Sequence, residues 1–352
     1  MKMSVASGTS KFVSKKVRKV RWRPRQDSMQ MNSNMFATGS WDDESNEVSL
    51  WKHEEGEEGS STVLLASVQH PGDVTGLNWI SPDLLVTSSS TGSLNLYTLE
   101  QYKILTLSQD WSNLHRDGGA TCLSSHGESV ATAGQDGRIN VLNIRQRAPV
   151  KVYDNADSCS MTDLIFSRGS DLLSSNMRGQ LKLFDLRANQ QTPSSTFLLS
   201  NDQVAVTCLA KHPSQGHIVI SGGENGFLAV WDLRQGQHPV TLLSAHKAPV
   251  SEVKFHPDQP DHIFTCSQGG ELWHWNGGSI KSSGGNLSMN NSLENLNSTS
   301  PWLSSEAVRH KVETTSLVSK QPLPINSVDV LGHSVLFGGD NEAFYILNNI
   351  VM

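Results

Sequence analysis

HIVISGGENGFLAVWDLRQGQHPVTLLSAHKAPVSEVKFHP, residues 217–257, decides the fold of this chain. Ile218, Val219 and Ile220 form a short apolar run that meets the turn Gly222-Gly223-Glu224-Asn225-Gly226. A second apolar run, Phe227 to Leu233, follows at once, so residues that tolerate positive φ sit between two β-rich segments, as in a hairpin. Pro239 to Leu243 supplies a third strand after Gly236. Ala245-His246 then opens a fourth, with the spacing Val250, Val253 and Phe255, closed by Pro257, which has no N–H for a ladder. A unit of this kind cannot bury both its faces alone, so it calls for copies of itself.

The copies are present. The spacing apolar, two residues, apolar, one residue, apolar recurs at Val17/Val20/Trp22, Val74/Leu77/Trp79, Met161/Leu164/Phe166 and Ile325/Val328/Val330. Weaker copies begin at Ala120 and Val206. The turn glycines Gly92, Gly137, Gly179, Gly226 and Gly270 lie roughly 42 to 47 residues apart, close to the period of about 40–45 residues of WD repeats. The order of landmarks, small-residue turn, Trp-Asp, then a small residue with His, also resembles the WD repeat. These features predict an all-β fold, a seven-bladed WD40-type β-propeller. Little sequence follows the strand around Tyr345, so the segment around Phe12 is expected to supply the last blade's outer strand and close the ring, removing an open sheet edge.

Bulk properties fit that reading. The chain has 352 residues, a net charge of −6 and four scattered cysteines, with no C-x-x-C pair. The charge favours no nucleic acid, the cysteines read as reduced core residues, and no metal or cofactor is expected. No apolar run approaches the ~20 residues that span a bilayer, so the expectation is a soluble chain inside the cell, without membrane insertion.

Residues 1–10 are small and polar and are expected to be disordered; residues 11–352 are expected to form one domain. The basic run Lys11 to Arg25 has the composition of a nuclear-localisation or nucleic-acid patch. Its apolar spacing favours the first blade's inner strand, with cations at the solvated ends. An acidic loop, Glu54 to Ser61, is expected between two strands of that blade. The loop with Asp110, Trp111, His115 and Asp117 reads as a connector. Residues 276–305, rich in Gly, Ser and Asn, read as a disordered insert in blade six, with Ser300-Pro301 as a candidate phosphorylation motif. The insert, the acidic loop and Ala188 to Ser195 all join a third strand to a fourth, which puts them on one face of the disc.

Catalytic signatures are missing: there is no G-x-S-x-G, P-loop or H-E-x-x-H. Blades of this type often join a His, a Ser or Thr, an Asp and the Trp in a buried network. No blade here carries the full set; Gly269 stands at the Asp position of blade six. Trp231-Asp232-Leu233-Arg234 and Phe184-Asp185-Leu186-Arg187 resemble the W/F-D-x-R ends by which substrate receptors dock on cullin-type ubiquitin ligases. Arg187 and Arg234 are the contact residues in that alternative.

Several stretches are similar to the forty-three-kilodalton WD-repeat nucleoporins of vertebrates, subunits of the Y-shaped nuclear pore scaffold. They include KFVSKKVRKVRWRP from Lys11, FATGSWDDESNEVSLW from Phe36, GFLAVWDLRQG from Gly226, and LWHW from Leu272. The resemblance implies a non-enzymatic propeller at the nuclear pore, docked on the short-arm helical scaffold nucleoporin. It also implies roles in mRNA and protein transport and a kinetochore pool in mitosis.

Overall fold

A computed structural model describes residues 2–3, 7–25, 34–56, 59–116, 118–199, 203–278, 300–303 and 312–352. Among them stand seven sheets, each built on four antiparallel strands, arranged as the blades of a propeller; the sheet of blade six carries a fifth, parallel strand. Blade one runs Val17–Trp22, Asn34–Ser40, Asn46–Gly56 and Gly59–His70. The inner strands of the others are Val74–Ser81, Ala120–His126, Met161–Arg168, Val206–Lys211, Val250–Phe255 and Ile325–Leu331. Each carries the spacing read from the sequence, and the first, fourth and sixth residues are mostly buried between blades. The turn glycines have φ from 70° to 82°. A Cβ at Gly226 would lie 2.0 Å from the His246 carbonyl oxygen, so this turn accepts only glycine.

The ring closes as expected. Ser7–Phe12 pairs antiparallel with Ala343–Asn348, from Ser7 opposite Asn348 to Phe12 opposite Ala343. This corrects the disorder expected for residues 1–10 at residues 2–3 and 7–10; residues 1 and 4–6 lie outside the described residues. Residues 7–10 gain ladder bonds that their composition does not announce, and Lys2–Met3 adds to blade six beside Glu313–Ser316, in parallel. The acidic loop is also corrected. Asn46–Gly56 and Gly59–His70 form one long hairpin, with Glu54 opposite Ser61. Polar side chains suit both faces of a ribbon that leaves the disc, so composition alone resembled a loop.

The insert is corrected at one point. Pro301–Leu303 form a 3-10 turn, and Trp302 is fully buried against the blade five–six core with Leu243, Phe255, Ile263 and Trp275. Its Nε1 donates to the Pro260 carbonyl at 2.9 Å. The disorder expected for 279–299 and 304–305 lies outside the described residues.

Candidate interaction surfaces

An inner strand has one side of its backbone facing a channel instead of another strand, and those N–H groups need partners. The side chains of the preceding blade supply them. Asp329 accepts from Trp22 N at 2.7 Å, Glu252 from Val328 N at 2.9 Å, Asp163 from Leu209 N at 2.7 Å and Ser124 from Phe166 N at 3.2 Å. Neighbouring blades are thereby latched through polar groups lining a channel of about 990 Å³.

Glu252 is the hub of this lattice. Arg21 Nη2 reaches its Oε1 at 2.5 Å, Lys19 Nζ lies 3.5 Å away, and Ser327 Oγ donates to Oε2 at 2.7 Å. Burial alone would push the Glu252 carboxyl up; Arg21 and then Lys19 outweigh it and hold it well below the usual range. Burial dominates at Asp163 and Asp329, whose carboxyls are pushed up. The basic run is thus spent within the fold: Lys19 and Arg21 line the channel, and Arg23 is buried. Arg23 bonds to the Pro82 carbonyl at 2.6 Å and Asp83 at 3.0 Å, with its guanidinium over Tyr102. The expectation of solvated cations holds at the ends of the run, where Lys11 and Arg25 are exposed, and in part at Lys15 and Lys16, which pair with Glu47 and Asp42.

The histidines are structural. His115, expected in a connector, bonds to Asp136 at 2.9 Å and Thr132 at 3.0 Å; Leu142 stands at the Trp position of that blade. Trp111, from the same stretch, ends a strand and donates to the Gln146 carbonyl, whereas Asp117 lies outside the described residues. In blade six, Trp275 Nε1 donates to Thr265, which bonds to His246 at 2.8 Å. Glu271, not residue 269, completes the chain at 3.1 Å. Burial pushes the pKa of both His115 and His246 down in spite of their carboxylate partners, so both are neutral at physiological pH. Burial pushes the Cys208 thiol up to about 12, which makes it a core group and not a nucleophile. Among the described residues, no cluster of three or more His, Cys, Asp or Glu side chains is arranged to hold a metal ion.

Two surfaces remain. Arg187 and Arg234 occupy equivalent corners, just past the third strands of blades four and five. Each guanidinium forks back onto its own strand's aspartate: Arg187 to Asp185 at 3.1 and 3.2 Å, Arg234 to Asp232 at 3.0 and 2.8 Å. The backbone N–H of each arginine donates to the same carboxylate, so the motif first of all closes a turn. Both side chains stay exposed, 74% and 51%.

The second surface is the rim of blades one and two, where the outer strands Gly59–His70 and Ile104–Trp111 touch. Val63, Leu64, Tyr102, Ile104 and Leu107 are all about half exposed there. All lie toward the end of these blades that carries the third-to-fourth connections, with Thr62, Ser67, Thr106 and Ser108 among them. An apolar band with polar neighbours on an edge strand has the composition of a docking site. Sequence reasoning missed it, because alternate apolar residues on an outer strand look like any half-buried strand.

Comparison with known proteins shows what the chain is similar to. The WD domain, G-beta repeat family matches residues 192–232 and 237–276. Human Nucleoporin Nup43 is 36% identical over 374 aligned residues, covering 97% of this chain and 98% of that protein. The mouse Nucleoporin Nup43 aligns with the same identity and coverage. The Nuclear pore complex protein NUP43 of Arabidopsis thaliana is 23% identical over 304 residues, 74% of this chain and 83% of its own.

Proposed function

Because the chain belongs to the Nup43 family of WD-repeat nucleoporins, we propose that it is a non-enzymatic structural subunit of the nuclear pore scaffold. It works at the nuclear envelope among other nucleoporins. In finer detail, it docks on an α-helical scaffold nucleoporin of the Y-shaped complex. It thereby supports pore assembly and nucleocytoplasmic transport, and it joins kinetochores in mitosis. The end-to-end match to Nucleoporin Nup43 is the observation that carries this reading.

The blade one–two rim is the docking surface in this proposal. A helix with an apolar face covers Val63, Leu64, Ile104 and Leu107 while its polar flanks meet the neighbouring hydroxyls. A rigid disc with an internally satisfied channel suits such a role, since little ordering entropy is lost on docking. The second reading, a substrate receptor of a cullin-type ligase, draws on the exposed Arg187 and Arg234 at matching corners of adjacent blades.

Affinity capture from nuclear extract tests both readings, with wild type beside Leu64→Glu/Leu107→Glu and Arg187→Ala/Arg234→Ala. Nucleoporins recovered by wild type and lost only with the leucine pair support the scaffold reading and its surface. Equal recovery by all three removes the rim from it. A ligase adaptor lost only with the arginine pair favours the second reading, and wild type without nucleoporins overturns the first. Imaging of tagged protein at kinetochores tests the mitotic role.

A further inference from the structure

We propose that Ser300 is a phosphorylation site whose modification and the docking of Pro301–Leu303 exclude one another, making the Trp302 plug a releasable latch on blades five and six. Ser300 is 5% exposed, and its hydroxyl has no hydrogen-bond partner, an unfavourable state for a buried polar group. Pro301 follows it directly, and Trp302, two residues on, is the plug's anchor. The site therefore joins a Ser-Pro dipeptide, which proline-directed kinases recognise, to a side chain whose burial reports whether the segment is seated.

The seat is a narrow apolar slot. Trp302 packs among Leu243, Phe255, Ile263 and Trp275, and Leu303 and Val312 lean on the same cluster. Gly277 leaves room for the indole, since a Cβ there would lie 3.0 Å from the ring. Backbone carbonyls also line the slot: Pro260 O accepts from Trp302 Nε1, and Asp261 O accepts from Gly277 N. A phosphate on Ser300, itself buried and two residues before the indole, brings roughly −1.5 to −2 charges and three acceptor oxygens to the edge of this slot. It cannot be desolvated there, so the phosphorylated segment stays out.

In the reaction, the Ser300 hydroxyl oxygen bonds to the γ-phosphorus of ATP as the bond to the ADP oxygen breaks. The hydroxyl proton leaves to the kinase base and ADP departs. The kinase acts only on the undocked fraction, so docking slows modification by the factor by which it depopulates that state. The phosphate in turn disfavours docking, because its charge loses solvation in the seat.

The test uses the full chain with a purified proline-directed kinase and ATP, and mass spectrometry to quantify phosphate on Ser300. Chymotrypsin cleavage after Trp302 reads docking directly, because a seated indole is protected. Trp302→Ala unseats the plug and is expected to raise the rate of Ser300 phosphorylation at least about tenfold, with Trp302→Phe between it and wild type. Phosphorylated wild type is expected to be cut after Trp302 at least about tenfold faster than unmodified protein. Ser300→Glu, read in the same way, covers slow modification of the wild type. Ser300 left unmodified in Trp302→Ala, or cleavage unchanged by both phosphate and Ser300→Glu, overturns the proposal.

Discussion

Lowering the pH from 7.5 to 5 should weaken blade six through one pair of histidines. His262 and His274 sit on adjacent strands, 7% and 5% exposed, with His262 Nδ1 and His274 Nε2 2.8 Å apart. One ring donates and the other accepts, so the pair is satisfied only while the accepting nitrogen is free of a proton. His274 is also stacked between His262 and Phe264, at centroid distances of 5.0 and 4.8 Å. Burial first, and then the neighbouring His262 and His256, push His274 from 6.5 down to about 4. The unfolded chain therefore takes up this proton before the folded one does. The contribution is complete above about pH 6.5 and is lost as pH falls toward 4. The whole difference is about 3 kcal/mol, of which about 2 kcal/mol has gone by pH 5. Urea denaturation at pH 7.5 and pH 5 measures it. His274→Gln keeps a hydrogen-bonding side chain that does not titrate, and its loss of stability over this range should be smaller than wild type's by about 2 kcal/mol. His70, His115 and His246 are pushed the same way by burial and leave a residual slope in both proteins. Equal pH dependence in wild type and His274→Gln would refute the reasoning.

Glu252→Ala leaves Arg21 and Lys19 facing each other in the channel and should cost about 3 kcal/mol in denaturant unfolding, far more than an exposed ion pair. Gly226→Ala forces a Cβ against the His246 carbonyl in a backbone with φ of 82°, and should destabilise by about 2 kcal/mol or more by the same assay. Deleting residues 1–12 bares the Ala343–Asn348 edge. It should broaden the unfolding transition and promote self-association, both visible by light scattering on heating.

The sequence displayed the blades because burial repeats. Val17, Val74, Val206 and Val250 each open an inner strand at the same inter-blade position, and in five blades the turn after the second strand holds a glycine at positive φ. The latching lattice stayed hidden for the opposite reason. The position held by Glu252 and Asp163 is Gly76, Cys122 and Cys208 in other blades, so no periodic signal marks it. Trp302 was invisible because one aromatic in a long polar segment barely changes the composition, although its burial depends on neighbours supplied by blades five and six. His115 read as part of a connector, since its partners Thr132 and Asp136 lie on the far side of a strand. The rim of blades one and two depends on which outer strands touch in space, which no periodicity records.

The pairing of Ser7–Phe12 with Ala343–Asn348 also sets an order of events at the ribosome. The first of these strands is made long before its partner. At about 5–20 residues per second, the stretch between Phe12 and Ala343 takes roughly 15 to 70 s to translate, and the early strand stays unpaired for that time. Its sequence, SGTSKF, suits the wait: five small or polar residues and a single aromatic give a passing chain little to stick to. The residues that complete the ring are thus ones able to stay single until Ala343–Asn348 is made.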